Sequence, residues 1–191
     1  MSEQKKETIV QVQAKTKPKI EDMIPEYLDG EAKQSMLKFL EVCKTHGVKT
    51  KWSATNRWKL VLNGENIGMI YMATKPCYDV NQGFLKNEWY TFTNNSSNLI
   101  FGALNKEGIS EKEKEDIVYV IHRNLKTCAN TKKRCVPLKS ITIFGKEYNE
   151  SDNLCSDCGG TNFQIMFTNP DERTLYWLNR AFEAKREKRN V

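Results

Sequence analysis

Long apolar runs are missing from this chain of 191 residues. No stretch approaches the ~18 consecutive apolar residues that a membrane span needs. The opening Met-Ser-Glu-Gln-Lys-Lys lacks the apolar segment of a secretion signal, so a cytoplasmic setting without membrane contact is expected. Motifs that would name a reaction are also missing: no Gly-rich phosphate loop, no His-Glu-x-x-His and no Gly-x-Ser-x-Gly. The two histidines, His46 and His122, stand in no nucleophile pattern, and the acids are scattered rather than paired as acid and base. No catalytic residue can be nominated, and the reading leans away from an enzyme. Acids are absent altogether from Ile117 to Lys146, where seven basic residues fall: Arg123, Lys126, Lys132, Lys133, Arg134, Lys139 and Lys146. With a net charge of +6, that tract makes an anionic partner such as nucleic acid the natural one to look for. Arg123, Lys126, Lys132, Lys133 and Arg134 are its candidate anion-binding residues. They lack the regular aromatic interleaving of a single-strand binding surface.

What is present fits a globular α+β protein, 39% hydrophobic and 28% charged. Residues 1–25 have few large apolar side chains, five lysines, and prolines at Pro18 and Pro25, a composition that predicts a solvated tail. Residues 26–191 read as one domain with two parts, 26–100 and 101–191. In the first part Ala32, Met36, Phe39, Leu40 and Cys43 recur at helical spacing, with Asp29 placed to cap and Gly47 placed to end the helix. Cys43 falls on the apolar stripe as a small hydrophobe, and His46 near the helix end complements the dipole. Strand-like runs follow at 51–53, 58–62, 67–72 and 89–92, with Asn63-Gly64 as a hairpin turn. They predict an antiparallel meander against which the helix packs.

In the second part Ser110-Glu-Lys-Glu113 is a capping box that opens a helix with Ile117, Val120, Ile121 and Leu125 on one face. Strands are expected at Ile141–Phe144 and Asn162–Phe167, on either side of a cysteine turn. Asn169-Pro170-Asp171-Glu172 predicts a last helix with Asn169 as cap and Pro170 in the first turn.

Four of the six cysteines lie between these helices: Cys128, Cys135, and the pair Cys155-Ser-Asp-Cys158, which Gly159 follows. Thiolates two residues apart reach one tetrahedral ion, and glycine permits the tight turn, so Cys128, Cys135, Cys155 and Cys158 are the candidate ligands of a structural zinc. Lys132, Lys133 and Arg134 would offset the negative charge of such a site. An iron-sulfur cluster and unligated thiols remain open as alternatives. A redox dithiol at Cys155 and Cys158 is disfavoured because Gly159-Gly160 is poor material for the helix that would lower a thiol pKa. His122, six residues before Cys128, could replace one ligand, although its helical spacing from Val118 and Lys126 fits a partly exposed position better.

The other distinctive run is Trp52-Ser-Ala-Thr-Asn56-Arg57-Trp58. Trp52, Asn56, Arg57 and Trp58 could line a pocket, the rings stacking on a planar ligand and Arg57 meeting an anion. Alternatively the tryptophans are sheet core and Asn56-Arg57 is a turn tip.

With the strand, Asn-Gly turn and strand that follow it, this run resembles a Firmicute-type family of small bacterial proteins with a cysteine-rich C-terminal half. Thr142-Ile-Phe-Gly-Lys-Glu-Tyr148 and Asn169-Pro-Asp171 continue the likeness over roughly residues 30–185. Residues 30–93 are also remotely similar to the small α+β domains of frataxin-like iron chaperones. That resemblance implies the fold but no functional residue: the corresponding helix mixes Lys33, Lys38 and Lys44 with Glu31 and Glu41, where an iron-donating helix would present an acidic ridge. The sequence thus predicts a zinc-stabilised binding module with a basic surface; the alternative is a small-ligand-binding or enzymatic domain at the Trp52–Trp58 run.

Overall fold

The computed structural model describes residues 7–74, 85–93, 110–124, 140–143, 146–149 and 167–187. Among them the elements run, in chain order, α1 (Ile9–Thr16), α2 (Ile20–Tyr27), α3 (Gly30–Thr45), β1 (Lys49–Ala54), β2 (Arg57–Leu62), β3 (Glu65–Met72), β4 (Trp89–Thr93), α4 (Glu111–Asn124), β5 (Ser140–Ile143), β6 (Lys146–Asn149), β7 (Phe167–Thr168) and α5 (Glu172–Glu187). The fold is α+β, as expected. β1, β2, β3, β4 and β7 form one antiparallel sheet in that order, and β5 pairs with β6 in a separate hairpin.

Local chemistry explains the turns. Asn63 and Gly64 adopt φ of 50° and 85°, and this pair of positive values suits the right-handed twist of the strands it joins. Gly47, at φ 71°, closes α3. Asp29 precedes α3 but makes no side-chain cap; its N–H donates instead to Asn87 Oδ1 at 2.7 Å. α4 opens with the expected box, in which Ser110 N–H and Oγ both donate to Glu113 Oε2 at 2.9 Å and Glu113 N–H returns to Ser110 Oγ at 3.3 Å. These bonds hold the exposed Glu113 carboxyl below its usual range.

Registry assigns each strand residue to a face, because successive side chains alternate. Trp58, Leu60, Ile70, Met72, Trp89 and Phe167 share the inner face and meet the apolar sides of α2, α3, α4 and α5 in a single core. Val61 pairs with Asn66 while Leu60 pairs with Gly68, so β3 carries one extra residue, Ile67, which is also buried in the core. Both parts of the chain contribute to this core, since Phe167, Leu175, Leu178 and Phe182 pack with residues before position 94. Arg173 pairs with Asp116 and lies 4.4 Å from the centre of the Tyr119 ring, holding α5 to α4.

Two further expectations need correction. Part of the predicted solvated tail is helical: α1 and α2 cover Ile9–Thr16 and Ile20–Tyr27, and Ile20, Met23, Ile24 and Tyr27 are buried. Proline disfavours a continuous helix. Yet Pro18 lies between the helices, and burying Ile20, Met23 and Ile24 at ~1.5–3 kcal/mol each outweighs the ~3 kcal/mol that Pro25 costs inside α2.

The second correction concerns the last helix, which starts two residues later than the motif suggested. Asp171 is the cap, accepting from Thr174 N–H through Oδ1 at 2.9 Å and from Leu175 N–H through its carbonyl at 2.8 Å. Asn169, at φ 39°, instead ties the strands: its Oδ1 accepts from Trp89 N–H at 2.9 Å and its Nδ2 donates to Asn87 O at 2.9 Å. Asp171→Ala should therefore lower stability by about 1 kcal/mol in urea unfolding, whereas a loss confined to Asn169→Ala would contradict this assignment.

Candidate functional site

The Trp52–Trp58 run folds as the β1–β2 hairpin, and the structure distributes its candidate residues over three places. Trp52 and Trp58 are direct cross-strand partners and so share the inner face. Trp58 is 1% exposed, with its Nε1–H donating to Pro18 O at 3.0 Å. Trp52 is half-buried at the rim. Both line an open groove of about 1110 Å³ between the α1–α2 link, the end of α3 and β1. Lys17, Lys19, Lys44 and Lys49 surround it, opposed by Glu21 and Glu41. Cys43 also borders this groove. It is buried, and burial pushes its thiol up to about 12, so it is a core side chain rather than a nucleophile.

Asn56 occupies the hairpin tip at φ 55° and is fully buried. Its backbone N–H donates to Gln13 Oε1 at 2.9 Å, and its Oδ1 accepts from Gln13 Nε2 at 2.7 Å. Asn56 O takes Met72 N–H at 3.0 Å. Its backbone and Oδ1 thus join α1 to the sheet. Burial, helped by Glu26 and opposed by Asn56, lifts the neighbouring Tyr27 phenol to about 12, so it stays protonated at neutral pH.

Arg57, next to Trp58 in the strand, points to the outward face. Its guanidinium carbon lies 5.4 Å from the centre of the Tyr71 ring, which stacks with Phe92 at 6.0 Å and an interplanar angle of 28°. Registry completes this face. One row runs Lys51, Lys59, Met69, Phe92; the next runs Arg57, Tyr71, Tyr90, Thr168. Lys51 and Lys59 are exposed, whereas Arg57, Met69, Tyr71 and Phe92 are half-buried. No Asp or Glu occupies these two rows. Glu88 reaches the Tyr90 hydroxyl at their edge, and burial together with that carboxylate raises the Tyr90 phenol strongly.

No family model, curated protein or solved structure matches this chain. The likenesses to the Firmicute-type family and to frataxin-like domains therefore rest on their motifs alone.

Of the basic tract, Arg123 falls in the last turn of α4, as does His122. Lys126, Lys132, Lys133 and Arg134 lie outside the described residues, and so do Cys128, Cys135, Cys155 and Cys158. Among the described residues no group of three or more His, Cys, Asp or Glu gathers where a metal could sit, and no helix is long and apolar enough to cross a membrane. His46 caps α3, with Nε2 2.8 Å from Asn179 Oδ1 and its ring against Phe182, in a packing role.

Sequence reasoning missed Lys51, Lys59, Tyr71 and Phe92. A signal was available: Lys51-Trp52 and Arg57-Trp58-Lys59 alternate basic and aromatic residues, so with the tryptophans inside the cations must share the other face.

Proposed function

We propose that the chain is a binding module for an anionic partner, such as nucleic acid, with its C-terminal half stapled by a structural zinc on Cys128, Cys135, Cys155 and Cys158. The observation that carries the binding half is the pairing of Lys51 directly with Lys59 on the outward face, with Arg57 in the adjoining row. Like charges directly opposite on a sheet destabilise it. A polyanion laid over these side chains turns that repulsion into attraction and releases counterions. The basic tract through Arg123, Lys126, Lys132, Lys133 and Arg134 adds to the same charge balance. The staple rests on thiolate chemistry: four cysteines, two of them in a Cys-x-x-Cys-Gly turn, match the closed tetrahedral donor set that zinc takes in structural sites.

The alternative, a small-ligand pocket around Trp52, Asn56, Arg57 and Trp58, draws support from only two of its residues, Trp52 and Trp58, which share the groove. Asn56 is engaged by Gln13, and Arg57 is on the other face.

Charge reversal separates function from stability. Lys51→Glu creates an opposite-charge pair with Lys59, so it should raise stability by ~0.2–1 kcal/mol while lowering the salt concentration at which the protein leaves immobilised heparin. Unchanged elution from heparin would refute the binding surface. For the staple, purified protein should carry one zinc with four of its six thiols protected until chelation; six freely titrating thiols without metal would refute it.

A further inference from the structure

Resting on the reading of an anionic partner, we propose that this partner is a single-stranded nucleic acid lying across the outward face of the sheet. Its bases stack on Tyr71 and Phe92, and its phosphates meet Lys51, Arg57 and Lys59.

That face is divided into two halves. The cations stand on β1 and β2, whereas the two stacked rings stand on β3 and β4. Neighbouring strands are ~4.8 Å apart, so the step from a cation to a ring is one or two strand spacings, comparable to the reach from phosphate to base within one nucleotide. Arg57 bridges the two halves, its guanidinium against the Tyr71 ring. Met69, half-buried between Lys59 and Phe92 in its row, adds an apolar floor.

Charge selects a polyanion, and the rings select among polyanions. A double helix keeps its bases stacked on each other and would offer this face only its backbone. An unpaired strand has free base faces, which stack on aromatic side chains with little regard for sequence. Half-buried rings set into a sheet are also poor wedges for a lipid surface, which favours protruding aromatic residues at its interface. The basic tract lacked aromatic partners in sequence; the sheet supplies them from residues separated along the chain but adjacent in registry.

The test is fluorescence anisotropy on the full chain with four labelled probes of matched charge: an oligouridylate, an abasic strand, a duplex and inorganic polyphosphate. Phosphatidylserine vesicles form a fifth arm. The oligouridylate should bind at least about fivefold tighter than the abasic strand, the weak end of single-base stacking. Its log affinity should fall against log salt with a slope of about −2, as three phosphate contacts on a single strand require. Phe92→Leu and Tyr71→Leu should each weaken the oligouridylate about fivefold or more and leave the abasic strand unchanged. As a readout that needs no variant, ultraviolet crosslinking should yield oligouridylate-bearing peptides containing Tyr71 or Phe92.

Equal affinity for the oligouridylate and the abasic strand, or crosslinks confined to other peptides, would overturn base stacking while leaving the polyanion surface standing. Tighter binding of the duplex or the vesicles would overturn the choice of partner. If no probe binds, the inference and the proposed function fall together.

Discussion

Phe39→Ala is expected to remove about 3–5 kcal/mol of stability, the range for truncating a buried phenylalanine. Its side chain is fully buried on α3, with the Trp89 ring of β4 at 5.3 Å and the Phe182 ring of α5 at 6.4 Å. Truncation therefore opens a void where three elements meet, and two large rings lose packing partners at once. Relaxation is limited, because Trp89 is fixed in the sheet through its pairing with Met72 and by backbone bonds to Asn169. For a domain of this size the loss is a large share of a total of ~5–15 kcal/mol. Urea unfolding at constant m-value measures it, and Phe39→Leu, which fills most of the volume, should recover more than half. A loss under about 1.5 kcal/mol would mean that the three-way junction can collapse on itself, against the packing described.

Much of this architecture was legible because it is local. The apolar stripe from Ala32 to Cys43, the Asn63-Gly64 turn and the Ser110–Glu113 box each depend on contacts a few residues long, and each is found where expected. The helix over Ile20, Met23, Ile24 and Tyr27 also had the right spacing. It was masked by Pro18, Pro25 and a surrounding run of lysines, and only tertiary burial reveals it. The candidate site was harder to read for a related reason. Which residues share the outward face depends on the offsets between strands, including the shifts after Trp52 and between Leu60 and Val61. No window within a single strand contains that information. Arg57 was grouped with Trp58 by sequence proximity, although adjacent residues of a strand face opposite ways. Composition could count the cations of the basic tract; it could not see that Lys51 and Lys59 are placed directly opposite each other.

Asn56→Ala should cost about 2–5 kcal/mol, a large effect for a residue at a hairpin tip. Two terms add. An alanine forced into the left-handed region pays roughly 1–2 kcal/mol that asparagine largely avoids. Removing Oδ1 also strips the partner from Gln13 Nε2, at about 1–3 kcal/mol for a buried group left unsatisfied. Asn56→Gly separates them, since glycine accepts φ 55° freely and loses only the hydrogen bond. The order of stability should therefore be wild type, Asn56→Gly, Asn56→Ala.

Gln13→Ala tests the same joint from the other side. Gln13 is the one buried residue of α1, at 2% exposure, whereas Val10 and Val12 are 42% and 41% exposed, so α1 is held by a polar plug rather than an apolar stripe. Losing that plug should free α1 before the domain unfolds, and trypsin should cut after Lys15 under native conditions in both Gln13→Ala and Asn56→Ala. A double-mutant cycle should show coupling of about 0.5–3 kcal/mol. Additive losses with α1 still protected would place its attachment elsewhere, leaving the short helix to depend on the half-buried Ile9 and on its Thr8–Gln11 capping box.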